Sequence, residues 1–72
     1  MTETVKITAI DAATADAIKE KIKLATYNLV KGVEKGTDAT EVIVHTKDMY
    51  ETIEDLIQDG ILDPTEMDYE LI

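Results

Sequence analysis

Thr4-Val5-Lys6-Ile7-Thr8-Ala9-Ile10 alternates polar and apolar side chains and puts Val5, Ile7 and Ala9 on one face. A period of two marks a half-buried strand. The spacing then changes. Ala15, Ile18, Ile22, Ala25, Leu29 and Val33 recur every three or four residues. That stripe predicts one long helix, capped by Asp11 or Thr14 and stopped by Gly32 or Gly36. The breaker-rich Lys35-Gly36-Thr37-Asp38 follows, and then Glu41-Val42-Ile43-Val44-His45, whose β-branched centre predicts a second strand. Asp48 with Glu51 three residues on has the form of a capping box. The helix it opens carries Met49, Tyr50, Ile53, Leu56 and Ile57 and stops at Gly60. Asp63-Pro64-Thr65-Glu66 repeats the signal, with Leu62 and Met67 as a hydrophobic staple, and predicts a short last helix from Pro64 towards Ile72.

The expected fold is therefore α+β: a small β-α-β-α(-α) domain with two strands, a long crossover helix and a C-terminal helical hairpin. Residues 1–72 form one domain. A right-handed crossover would set the two strands parallel. Two strands make a poor sheet, so at least one edge is expected to need a cover or a partner.

Residues Ile53 to Leu71 also resemble the helical hairpin of short C-terminal domains of the SHOCT type. Gly60-Ile61-Leu62 matches the turn and Glu66 the glutamate. Asp63 stands in place of the threonine cap, Met67 replaces the aromatic, and Asp68 and Glu70 occupy positions usually basic. The resemblance implies a hairpin and no particular activity.

Composition narrows the chemistry. The chain has 72 residues, 44% of them hydrophobic, and a mean hydropathy of −0.12, enough for a core and unlike a disordered tail. Cysteine is absent, which excludes disulfides and thiolate zinc sites. Serine is absent too, which excludes a Ser-His-Asp triad. His45 is the only histidine; as a lone ring at a strand end it reads as a hydrogen-bonded rim residue, and no catalytic residue is assigned. No glycine-rich phosphate loop occurs. No apolar run has the length of a membrane span, and the N-terminus lacks the basic and apolar regions of a signal peptide, so a cytoplasmic protein is expected.

Charge changes the picture most. The net charge is −9, with seven lysines and no arginine. Residues 1–47 balance seven acids against all seven lysines, whereas residues 48–72 hold nine acids and no base. Such a surface repels nucleic acid and anionic lipid and attracts basic partners. Asp55, Asp59, Gly60, Leu62, Asp63 and Glu66 fall at EF-hand positions, but Ile57 stands where a third-position ligand belongs and Pro64 stiffens the loop. Helix capping explains the same residues, so no metal and no cofactor is expected; a degenerate calcium loop is the minor alternative.

These features lead to the expectation of a non-enzymatic, acidic protein-binding module. Small acidic chains without cysteine are similar in class to phage-encoded inhibitors that cover the basic surface of nucleic-acid-handling host proteins. Bacterial or phage-infected cytoplasm would be its setting. Glu54, Asp55, Asp59, Asp63, Glu66, Asp68 and Glu70 are the expected contact residues. An alternative is a structural or assembly subunit acting by self-association. Leu24, Tyr27 and Val30, spaced by three opposite the main stripe, would form a second apolar helix face and join a homodimer.

Overall fold

A computed structural model describes residues 2–72. The first segment is the expected strand, β1 (Glu3–Thr8), with Val5 and Ile7 buried. Asp11 caps the helix α1 (Ala12–Ala25): its side chain accepts the Thr14 amide at 2.7 Å, and Ala15, Ile18 and Ile22 form the buried stripe. The helix then ends ten residues short of Lys35. Thr26 adopts a left-handed conformation (φ 49°). After a short loop the chain enters β2 (Val30–Lys35).

A tight turn over residues 36–40 leads into β3 (Glu41–Thr46), which buries Val42, Val44 and Thr46. Gly36 is required in that turn, because a Cβ there would lie 2.6 Å from the Cβ of Glu41. The helix α2 (Met49–Gln58) is capped by Asp48, whose carboxylate accepts the Glu51 amide at 3.1 Å, and it stops where Gly60 takes φ 75°. Only half of the expected capping box forms. The Asp48 amide donates instead to the Thr46 hydroxyl at 3.3 Å. The last element is β4 (Asp68–Leu71).

The four strands form one antiparallel sheet in the order β2-β3-β1-β4. β1 and β2 therefore run parallel with β3 between them, and β3 and β4 run parallel with β1 between them. This is the split β-α-β order of ferredoxin-like domains. The expected arrangement of two strands, long crossover helix and C-terminal helical hairpin is thereby corrected to four strands and two helices.

The correction has two physical sources. Val30 and Val33 fit the helical spacing, but these β-branched residues pack on the core from β2, where Val33 pairs with Val44. At the other end, Asp63-Pro64-Thr65-Glu66 makes one turn, not a helix. The Asp63 carboxylate accepts the Thr65 amide (2.9 Å) and hydroxyl (2.6 Å), and its carbonyl accepts the Met67 amide (2.9 Å). Met67 is thereby buried, and the chain extends along β1, whose outer edge would otherwise stay unpaired. The hairpin implied by the SHOCT-type resemblance is absent for the same reason.

Both helices cover one face of the sheet. Helix α1 lies over β2 and β3, and α2 lies over β1. The core between the layers is formed by Val5, Ile7, Val42 and Val44 from the sheet and Ile18, Ile22, Ile53 and Leu56 from the helices, closed by Leu62. Burying such aliphatic side chains stabilises the fold by about 1.5–3 kcal/mol each before entropy is counted. Among the described residues, no helix is long and apolar enough to cross a membrane.

Candidate partner-binding surface

Strand register decides which side chains share a face. Lys6 and Thr8 pair with Glu70 and Asp68, and Lys6 pairs with Ile43 on the other side, so these residues lie on the sheet face that no helix covers. Glu34, Glu41 and His45 join them there. Lys6 sits between Glu70 (3.0 Å) and Glu41 (3.6 Å). The hydrogen bond to Glu70 and the charges of both carboxylates push its pKa above the ordinary lysine value. His45 Nε2 lies 2.9 Å from Glu34 Oε1, and its Nδ1 lies 3.3 Å from the Thr4 hydroxyl.

The Thr4–His45–Glu34 row has the order of a nucleophile, a base and an orienting carboxylate. It lies on the helix-free face of the sheet and spans β1, β3 and β2. It forms a cross-strand polar row, with His45 one residue from the end of β3.

The opposite face of β4 is different. Tyr69 and Leu71 pair with Ile7 and Val5 and share their helix-side face, yet both remain exposed, Leu71 by 54%. Helix α2 does not reach over β4. The gap is a groove of about 520 Å³ lined by Met49, Tyr50, Ile53, Ile57, Tyr69 and Leu71. Glu3 and Glu54 stand on its rim. Glu3 also fixes one wall, because its carboxylate accepts the Met49 amide at the start of α2, at 2.8 Å. Tyr50 is 84% exposed beside it. Met49, Tyr50, Ile53, Leu56 and Ile57 are the apolar helix face expected from the sequence, and Leu56 is fully buried while Tyr50 and Ile57 stay exposed. The sequence signal for β4 is the alternation Asp68-Tyr69-Glu70-Leu71, too short to stand out as a strand.

The expected contact acids are divided. Glu54 is exposed on α2 and Asp55 is half-buried near its end. Asp59 accepts a hydrogen bond from the Tyr27 hydroxyl, and burial together with that carboxylate pushes the Tyr27 pKa up to about 12. Asp63 is occupied by Thr65, which holds its carboxyl below the usual range. Glu66 is exposed in the turn, while Asp68 and Glu70 lie on the open sheet face. The seven therefore span two faces of the molecule around β4 and are not one patch on one face. The EF-hand spacing dissolves as well: Asp55 is inside α2, and Asp59 and Asp63 are held by different partners. Among the described residues, no three potential ligands cluster as a metal site would require.

The expected self-association face is not assembled. Helix α1 ends at Ala25, so Leu24, Tyr27 and Val30 do not share a helix. Leu24 is 81% exposed, whereas Tyr27 and Val30 turn inward and pack against the core.

The fold and surface thus define a split β-α-β domain with an open acidic sheet face and an uncovered apolar groove. Comparison with protein-family models, curated proteins and solved structures finds no match.

Proposed function

We propose that this chain is a non-enzymatic protein-binding module that docks its acidic second half on a basic surface of another protein, of the kind that handles nucleic acid. The observation that carries the reading is a juxtaposition. Residues 48–66 hold seven acids and no base, and one of these acids, Glu54, stands with Glu3 on the rim of an apolar groove that the protein's own helix leaves open. Carboxylates steer encounter and reject acidic partners, while apolar contact supplies affinity. Lys6 offsets part of the charge of β4 through Glu70 at 3.0 Å, whereas Lys19, Lys21 and Lys23 lie on α1 and Lys35 is held by Asp16 at 2.7 Å.

The open sheet face supports a protein partner over nucleic acid. It carries Glu34, Glu41, Asp68 and Glu70, and among the described residues its one aromatic ring is His45, which Glu34 engages at 2.9 Å. A cytoplasmic site of action, in a bacterial or phage-infected cell, belongs to the same proposal.

The test is a triple substitution, Glu54→Gln, Glu66→Gln and Asp68→Asn. These residues are chosen because Asp59 and Asp63 hold Tyr27 and Thr65 and would confound binding with stability. A partner isolated from bacterial lysate is titrated with both proteins at low and high salt. Slower association and a flatter salt dependence in the variant are expected. Equal rates and equal salt slopes would reduce the acids to a solubilising surface.

A further inference from the structure

The sheet has two outer strands, and they are protected unequally. β2 carries a register shift between Val30 and Gly32, and Lys31 stands at the irregularity. Bulges and lysines are devices that keep an edge from pairing. β4 has neither, and its pairing with β1 runs without a shift from Thr8↔Asp68 to Val5↔Leu71.

Ladder alternation fixes which backbone groups of β4 are free. The Ile72 amide donates to the Thr4 carbonyl at 2.9 Å. In an antiparallel ladder, alternate residues turn their N–H and C=O to the same neighbour. Ile72, Glu70 and Asp68 therefore bond towards β1, and the amides and carbonyls of Tyr69 and Leu71 point outward. The same two residues put their side chains into the apolar groove, while Asp68 and Glu70 face the open side.

We infer that the outer edge of β4 receives a strand from the partner: an extended segment in which apolar side chains alternate with Lys or Arg. The inference rests on the proposed binding of a basic partner and specifies its chemistry. A strand hydrogen-bonded to Tyr69 and Leu71 continues the pleat. Every second side chain enters the groove beside Tyr50 and Ile57, and the others lie across from Asp68 and Glu70. Direct cross-strand pairs of opposite charge and of aromatic with aliphatic groups each favour the pairing. Glu70 already shares Lys6, whereas Asp68 is in no ion pair among the described residues, so Asp68 is the carboxylate an incoming cation meets first.

The probe is a capped peptide of about seven residues alternating Lys with Ile and Val, a length typical of a strand. Its control is a Lys-Gly peptide of equal charge. Binding is followed by amide hydrogen exchange and chemical shift in the full chain. The alternating peptide should bind, protect the Tyr69 and Leu71 amides, and lose about tenfold in affinity when its β4-facing amides are N-methylated. Methylating its outward amides should leave affinity unchanged. Leu71→Pro removes an outward donor and no β1 bond, so it should abolish binding, whereas Leu71→Ala should only weaken it.

Equal binding of both peptides without protection of Tyr69 and Leu71 would overturn strand addition and leave the acidic docking surface standing. Binding of the alternating peptide that ignores salt and the triple substitution would retain the strand and overturn the charge-based reading. Failure of both peptides to bind at about 1 mM would overturn both. Protection that rises with protein concentration alone would assign the edge to a second copy of this chain and overturn the basic segment. If Leu71→Pro unfolds, the N-methyl series still decides the question.

Discussion

Replacing Thr46 with valine should destabilise the protein by about 2 kcal/mol, the cost of stranding two polar groups partly or wholly away from water. Thr46 is fully buried, and its hydroxyl joins three segments. It donates to the Leu29 carbonyl at 3.1 Å, lies 2.7 Å from the Thr52 hydroxyl and accepts the Asp48 amide at 3.3 Å. With its own proton on Leu29, Thr52 must be the donor between the two hydroxyls. The Leu29 carbonyl keeps a second bond, from the Lys47 amide at 2.9 Å, and loses little. The Thr52 hydroxyl and the Asp48 amide lose their acceptor. Thr52→Val removes a donor and leaves Thr46 bonded to Leu29, so it should cost only about 1 kcal/mol. The double variant should cost less than the two together, with a coupling of about 1 kcal/mol. Urea and thermal unfolding measure all three; in a domain of this size about 2 kcal/mol lowers Tm by roughly 10 °C. A Thr46→Val protein within a few degrees of wild type, or strict additivity, would refute the reasoning.

Thr26→Gly should raise Tm by a few degrees, since glycine adopts φ 49° without the strain a β-branched residue carries; calorimetry showing no gain would argue that the Thr26 hydroxyl bond to Ala25 offsets it. Gly36→Ala should destabilise by about 1–3 kcal/mol in urea unfolding, because the new Cβ meets the Glu41 Cβ at 2.6 Å, which cannot yield as the nearby carboxylate tip can. In the Tyr50→Phe/Tyr69→Phe protein, absorbance titration should show Tyr27 ionising near pH 12. Its raised value means that the stability it contributes is intact below about pH 10 and is lost between pH 10 and 12, and a midpoint at 10 would contradict the buried, Asp59-bonded hydroxyl. The carboxyls of Asp11 and Asp63 are lowered, so their cap contributions should persist above about pH 4 and fade below it, visible as reduced protection of the Thr14 and Thr65 amides.

β1, β3 and α2 were legible because each shows a clean period and a cap or breaker at its end. The segment after Ala25 was not. Leu29 and Val33 continue the stripe of Ile18 and Ile22 at helical spacing, and no glycine or proline marks the end, which falls on a left-handed threonine. Only pairing with β3 decides in favour of a strand. Asp63-Pro64-Thr65-Glu66 carries a real capping signal, but the structure uses it for one turn, because burying Met67 and pairing with β1 outweigh a short helix. The acidic bias of residues 48–72 was plain from composition. The groove was not, since it exists only because β4 extends past the reach of α2.

The strand order also sets how the chain can fold during synthesis. β1 leaves the ribosome first, yet neither of its neighbours precedes the middle of the chain: β3 begins at Glu41 and β4 at Asp68. β2, the next strand made, never touches β1. A nascent chain that ends before β3 therefore holds two strands that cannot pair with each other and an α1 with no sheet to cover. Forming the β1–β4 ladder then closes a loop of almost the whole chain, so the sheet should be completed slowly and all at once. Until residues 68–71 arrive, Val5 and Ile7 lie on an unprotected edge, and this is the stage at which the protein is most exposed to misassociation.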